Sequence, residues 1–468
     1  MAQVHSANAP SANPTHCYIR PMSSAWRSFL ARLAGGAHEG ANLMVWFVRW
    51  VVVGVGIGIV AGFSAAALLA SLTWATDTRI DHGWIVWFLP IAGLVTGCLY
   101  HYTGGRAAEG NNLIIDEIHE PRAGVPRRMA PLIFFSTFVT QLFGGSAGRE
   151  GTGIQLSVGL SDSIARHLPL SRDQRRIVMI AAMSAGFGAL FGVPLAGAVF
   201  GLEVQSIGRV KYEAIVPAFV GSIVGDLVVR GLGVKHPAIA ELGTVHVDAV
   251  FLLKMVAIGV IFGLISALFI HAVRLLKQIA ARFINWTPLR PFIGGALVLA
   301  LMLIVGNRDY LGLSLPLASS ALAGDHTSAS VFALKLLFTV VTLGFGFYGG
   351  EVTPLFVIGS TLGAWLATLF GLDIALVAAL GYVAVFAGAA NVPITCTLIA
   401  VELFGGHVAV PAAVTCVVAY VFSTNHSIYS TQRLRVPKAD SGSDPSPADR
   451  AGPETTESKT DPLTDPGA

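Results

Sequence analysis

Gly145-Ser146-Ala147-Gly148-Arg149-Glu150-Gly151-Thr152-Gly153-Ile154-Gln155 sets an adjacent arginine and glutamate among glycines, between two long apolar stretches. An ionisable side chain at membrane depth is expensive, and it is retained where it lines an ion pathway or meets a partner. The glycines let other groups approach the backbone closely, and the run that follows can open a helix whose free N–H groups face an anion. One short segment thus offers an anion site and a titratable group together.

Composition sets the class. Hydrophobic residues make up 54% of the 468-residue chain and charged residues 12%, with a mean hydropathy of +0.68. That is far from the composition of soluble domains and predicts an all-α polytopic membrane protein. The 52 glycines agree, because small residues let membrane helices pack closely, as Gly54, Gly58 and Gly62 do at four-residue spacing. A formal charge of +3 says little about partners, since most charges lie in tails and loops, and nothing points to nucleic acid. Cysteines 17, 98, 396 and 416 have no paired spacing and read as small helix residues. His119, within Asp116-Glu117-Ile118-His119-Glu120, lacks a second clustered histidine, so neither a metal nor another cofactor is expected.

Residues 1–42 read as a cytosolic N-terminal segment. Met1 to Thr15 has no signal-peptide pattern, and Trp26, Phe29, Leu30 and Leu33 with Arg20, Arg27 and Arg32 predict a basic amphipathic helix at a membrane surface. The positive-inside tendency places this end in the cytosol. Residues 436–468, rich in Pro, Ser, Thr, Asp and Glu, read as a disordered tail, also assigned to the cytosol. Between them, 43–435 reads as the membrane domain. Several of its apolar segments, such as 153–165 and 392–404, are shorter than the roughly 20 residues needed to cross about 30 Å of hydrocarbon. They predict tilted and broken helices whose exposed backbone lines a cavity.

A polar stretch around 233–248 divides this domain into halves of about 43–232 and 249–435. Each half carries a glycine-rich break, Gly148-Arg149-Glu150-Gly151 or Gly349-Gly350-Glu351-Val352-Thr353-Pro354. Each then carries a segment running from a proline through apolar residues to a glutamate, Pro194 to Glu203 or Pro393 to Glu402. Such a repeat points to a midplane site where the halves meet.

These motifs, in this order over residues 110–435, resemble the chloride-channel (CLC) superfamily of anion channels and anion/proton antiporters. The resemblance implies an inverted-repeat fold and a homodimer in the lipid bilayer, each subunit holding its own anion pathway. Unlike in many relatives, no cytosolic nucleotide-sensing domain pair is expected after the membrane part. The departures narrow the branch. Where most relatives carry Gly-Ser-Gly-Ile-Pro, this chain has Gly110-Asn111-Asn112-Leu113-Ile114; Thr152 replaces the usual proline after the gate motif; Val352 stands where a phenylalanine is usual, preceded by Glu351. Together they resemble the fluoride-exporting branch (CLC-F). Glu203 is followed by Val204, so the second of two adjacent glutamates found in many chloride/proton exchangers is missing.

The resemblance then implies a fluoride/proton antiporter in the cell inner membrane, with Glu150 as the protonatable gate. Its anion-binding residues would be Asn111, Gly148, Arg149, Gly151, Val352, Thr353 and Tyr429, the last matching the family's tyrosine that donates its hydroxyl to the central anion. Backbone N–H groups from Gly148 to Gly151 and at Val352 and Thr353 would add helix-end dipoles. Glu351 is open between a second proton or gating group and a helix cap. Glu203 and Glu402 are expected to support structure rather than carry protons. The rivals are a chloride or nitrate/proton antiporter and a passive anion channel. An enzyme is not expected: Gly344-Phe345-Gly346-Phe347-Tyr348-Gly349 matches a dinucleotide fingerprint in letters but lacks its βαβ setting.

Overall fold

The computed structural model describes residues 24–234, 236, 242–243, 247–434 and 438, with side chains described from residue 40 apart from 41. The polar stretch 1–15 and all of the acidic tail but Lys438 lie outside the described residues, as do the side chains of the expected amphipathic helix. The chain divides into two units after Trp50. Of the first, the described part is the opening of helix α1 (Ser24–Asp81). The packing contacts, caps and candidate site below belong to the second, from Val51 onward.

Helix dominates. After α1 come α2 (Leu89–Leu99), α3 (Asn111–His119), α4 (Met129–Phe143), α5 (Glu150–Ala165), α6 (Arg172–Phe191), α7 (Pro194–Glu203) and α8 (Ile215–Gly231). The second half supplies α9 (Ala249–Phe283), α10 (Leu289–Val305), α11 (Leu315–Leu322), α12 (Ala329–Gly344), α13 (Val352–Phe370), α14 (Ile374–Ala390), α15 (Pro393–Phe404) and α16 (Ala409–Phe422). The departure from all-helix is a pair of two-residue parallel strands, β1 (Ser206–Ile207) and β2 (Arg433–Leu434).

Five helical runs among the described residues are long and apolar enough to span a membrane, at 42–81, 83–119, 212–231, 249–283 and 352–370. Shorter apolar helices accompany them, with α7 at 10 residues and α15 at 12, roughly 15–18 Å at 1.5 Å per residue. These are broken helices of the kind expected. The apolar run 176–205, continuous in hydropathy, is two helices. α6 stops at Gly192 in the left-handed region, φ 72°, and Val193 leads to Pro194 at the start of α7. The second half repeats the device. α14 stops at Asn391, φ 59°, and Val392 leads to Pro393 at the start of α15. A left-handed residue ends each helix and a proline, which has no N–H to satisfy, begins the next.

The ends of α7 and α15 are exchanged. Glu203, the last residue of α7, accepts from the N–H groups of Ile394 and Thr395 at 3.0 and 2.8 Å and from the Thr395 hydroxyl at 2.6 Å. Glu402, near the end of α15, accepts from the N–H groups of Leu195 and Ala196 at 2.9 and 2.8 Å. Each glutamate closes the open N-terminus of the other half's helix, where a negative charge meets unpaired donors and the positive dipole end.

α1 packs on α8 through its small residues. A methyl group on Gly58 would lie 2.7 Å from the Gly221 carbonyl oxygen and the Val224 Cβ, and one on Gly62 would lie 2.8 Å from the Gly225 carbonyl oxygen. Gly58→Val is therefore expected to destabilise the detergent-solubilised protein by about 1–3 kcal/mol through overpacking; an unchanged thermal midpoint would contradict this close approach. The exchanged caps predict an asymmetry. Glu203 accepts three hydrogen bonds at 6% exposure, whereas Glu402 accepts two and is partly open. Since each stranded buried group costs about 1–3 kcal/mol, Glu203→Ala should lower the midpoint more than Glu402→Ala, and the reverse order would refute the capping account.

Candidate functional site

The glycine-rich breaks of the two halves meet back to back. The Gly148 N–H donates to the Gly350 carbonyl at 2.6 Å and the Gly350 N–H donates to the Gly148 carbonyl at 2.8 Å, a reciprocal antiparallel bridge. No side chain fits between them: a methyl group on Gly148 would lie 2.9 Å from the Gly350 carbonyl oxygen. The Gly148 N–H, expected to face an anion, is thus occupied by the bridge. The next donors lie one step further along, and of these the Arg149 N–H is taken by the Glu150 carboxylate. A Cβ built on Gly350 would sit 2.8, 2.9 and 3.1 Å from the backbone nitrogens of Glu150, Gly151 and Arg149. Three successive amides therefore converge on one point at the start of α5, as an anion-binding helix N-terminus requires.

Glu150 itself is 1% exposed and reaches across to the other half. Its carboxylate accepts from the Thr353 N–H at 3.0 Å, from the Thr353 hydroxyl, and from the Arg149 N–H at 3.0 Å. It thus caps α13 as Glu203 caps α15. Arg149 precedes the helix, with non-helical backbone, so neighbouring positions do not force the two side chains apart. The Arg149 Nε lies 3.7 Å from Glu150 Oε1, a long ion pair without a hydrogen bond. Thr152, in place of the family's usual proline, shares a 2.6 Å hydroxyl hydrogen bond with Thr137 that ties α5 to α4.

Two cavities adjoin the neighbours of Glu150 in the chain. One, of about 430 Å³, is lined by Arg79, Arg149, Arg308, Asp77, Asp309 and Ser314 with apolar neighbours. The other, of about 310 Å³, is lined by Asn111, Gln155, Tyr348, Glu351, Lys277 and Tyr429 among others. Arg149, just before Glu150, faces the first. Asn111, whose amide nitrogen abuts Gly151, faces the second. Glu150 lines neither.

The second cavity gathers most of the remaining residues singled out in the sequence. Asn111 opens α3, and its Oδ1 is buried without a partner, as are Gln155 Oε1 and the Tyr429 hydroxyl. Buried polar atoms normally find partners, so this cluster of unpartnered polar groups marks a place for a polar guest. Glu351 lines the same cavity and precedes α13. Its side chain makes no capping hydrogen bond to α13. Val352, 1% exposed, and Thr353, 2% exposed, are the first residues of α13. The neighbouring aromatic pair is Tyr100 and Tyr348, stacked at 3.5 Å.

Thr353, expected at the anion site, turns its N–H and hydroxyl to Glu150, whereas Gln155 was not singled out in the sequence. Gln155 lies four residues beyond Gly151 on α5, on the same helix face, and a lone glutamine in that apolar run was the available signal. No cluster of metal-binding side chains occurs among the described residues.

Comparison with known proteins fits this architecture. Residues 92–424 match the voltage gated chloride channel family. A chloride/fluoride channel protein of Pseudomonas syringae pv. tomato is 42% identical over 402 residues, covering 85% of this chain and 89% of that one. An H(+)/Cl(−) exchange transporter ClcA of Yersinia pestis is 26% identical, covering 77% and 81%. Among solved structures, a CLC-type fluoride/proton antiporter superposes with a TM-score of 0.80 at 33% identity, covering 83% of this chain and 98% of that one. A slow cyanobacterial Cl−/H+ antiporter shares the fold, with a TM-score of 0.67 at 20% identity. With the family matched over most of its length and helix N-termini of both halves converging on Glu150, the chain belongs to the voltage gated chloride channel (CLC) family.

Proposed function

We infer that the chain is a secondary-active fluoride/proton antiporter that exports fluoride against inward proton movement, working as a homodimer in the cell inner membrane with both termini in the cytosol. The observation that carries this reading is the position of Glu150. Its carboxylate takes donors that would serve a small anion and is buried, while the preceding Arg149 lines one cavity and Asn111, against the following Gly151, lines another. The fluoride assignment is supported by the 33%-identical fluoride/proton antiporter and the 42%-identical chloride/fluoride channel protein.

The cycle follows from the donors. Ionised, Glu150 occupies the Thr353 and Arg149 donors and blocks passage as a tethered anion. An anion arriving at the same helix ends competes for them. Displaced beside that anion, the carboxylate is driven to take up a proton, because two negative charges disfavour each other. Protonated and neutral, it no longer competes for the helix ends, and the anion passes. Return of the side chain releases the proton to the opposite side, which makes the movements opposed.

Glu351, on the cavity that also holds Asn111 and Tyr429, is assigned as a second protonatable group on that side. The anion there would receive the Tyr429 hydroxyl and the Asn111 amide N–H2, both good donors. Fluoride is smaller than chloride and more tightly hydrated, so stripping its water demands close donors in exchange.

Reconstituted protein in proteoliposomes should release fluoride faster than chloride, with alkalinisation or acidification tracking the flux, and an imposed proton gradient should drive fluoride uphill. Equal chloride release would favour a chloride or nitrate/proton antiporter. Fluoride flow indifferent to the proton gradient would favour a passive channel, and the Pseudomonas syringae relative is named a chloride/fluoride channel protein. Glu150→Gln should abolish proton coupling; coupled transport surviving in that variant would remove Glu150 from the cycle.

Selectivity is assigned to Asn111 and Val352. Asn111→Ser and Val352→Phe should each lower the fluoride-to-chloride ratio by about tenfold, the scale of one lost or misplaced polar contact of about 1.4 kcal/mol. A ratio unmoved in both variants would place selectivity elsewhere.

A further inference from the structure

We propose that Lys335 is the buried countercharge of the anion path, a positioning residue that holds the loop before Glu150 and draws the anion inward from the cavity that Arg149 lines. Lys335, Thr339 and Thr342 recur on α12 at spacings of four and three, forming one polar stripe on an otherwise apolar helix. All three are fully buried and turn onto Ser146. Lys335 Nζ donates to Ser146 Oγ at 2.9 Å, to Ser314 Oγ at 2.9 Å, to the Gly312 carbonyl at 2.9 Å and to the Tyr310 carbonyl at 3.4 Å. The hydroxyls of Ser146 and Thr339 share a 3.0 Å hydrogen bond, and the Ser146 N–H donates to Thr342 Oγ1 at 3.2 Å. Four oxygens around one nitrogen suit the three protons of an ammonium.

No carboxylate answers this charge: the ion pairs among the described residues do not include Lys335, and the charged group acting on it is Arg79, a second cation. An unpaired buried cation is costly and is kept where an ion path uses it. Two surroundings supply that use. Ser146 is two residues from Gly148, so their Cα atoms lie within about 7 Å, and the converging amides follow directly. Ser314 and Arg79 line the same cavity as Arg149. A fixed positive charge between that cavity and the helix ends acts through a medium of low dielectric, where it is weakly screened.

The inference rests on the anion-transport reading, and its test separates the two. Fluoride and chloride binding are titrated by calorimetry on the full-length wild-type protein and on Lys335→Met and Thr339→Val. The threonine variant removes one hydroxyl from the network around Ser146 while keeping the charge, and Thr339 lines neither cavity. Lys335→Met should weaken the Kd of the anion that the wild type binds by about tenfold or more, equivalent to about 1.4 kcal/mol, while Thr339→Val should change it by less than about twofold, since a neutral bond is the weaker contribution. Equal affinity in Lys335→Met overturns the countercharge, and so does an equal loss in Thr339→Val, which would make the lysine a staple alone. Wild-type protein binding neither anion would instead overturn the transport reading. Should Lys335→Met fail to assemble, Lys335→Gln, neutral but still a donor, carries the comparison with the same two outcomes.

Discussion

A carboxylate buried in a membrane protein must find donors, and here three find them at helix N-termini of the opposite half. Glu150 reaches α13, Glu203 reaches α15 and Glu402 reaches α7. The cost of an unanswered buried charge is several kcal/mol, while each amide-to-carboxylate bond returns about 1.5–3 kcal/mol. Two or three such bonds per carboxylate offset the burial. They also bind residues about two hundred positions apart, so the halves are held together by the same electrostatics that a helix end offers to a mobile anion. Glu351 occupies the place where a fourth exchange would complete the pattern, but it is turned to a cavity. That break in the pattern is what leaves the N–H groups of Glu150 and Gly151 at the head of α5 without a resident carboxylate from the other half.

Much of this was legible in the chain. Gly148-Arg149-Glu150-Gly151, its counterpart at 349–354, and the two proline-to-glutamate segments announced a repeat with broken helices, because glycine, proline and an isolated charge each have few bland places in an apolar run. What stayed hidden was pairing. The Gly148–Gly350 bridge joins residues distant in sequence, and no periodicity encodes which backbone groups two loops will exchange. It also redirected one expected donor, since the Gly148 N–H serves the bridge. The same reason concealed the exchange of caps between α7 and α15: both glutamates were visible as repeat partners, but their targets lay in the other half.

Other misses have more local causes. Hydropathy averages across Gly192 and so ran α6 and α7 together, although the left-handed residue and the following Val-Pro were present at both 192–194 and 391–393. Gln155 and Lys335 are single polar residues on apolar helices, a weak signal until the neighbouring element is known. Thr353 read as part of a motif, yet its role as a double donor, through N–H and hydroxyl, depends on Glu150 arriving from the other half.

The Gly148–Gly350 bridge also bears on mechanics. Two backbones locked by reciprocal hydrogen bonds at 2.6 and 2.8 Å, with no side chain between them, resist the shear that rocking halves would impose at this point. In the proposed cycle the displaced body is then one side chain of a few atoms, and the surrounding scaffold need not push lipid aside at each turnover. Viscous drag from the bilayer would fall on the protein as a whole and leave the stroke itself nearly untouched.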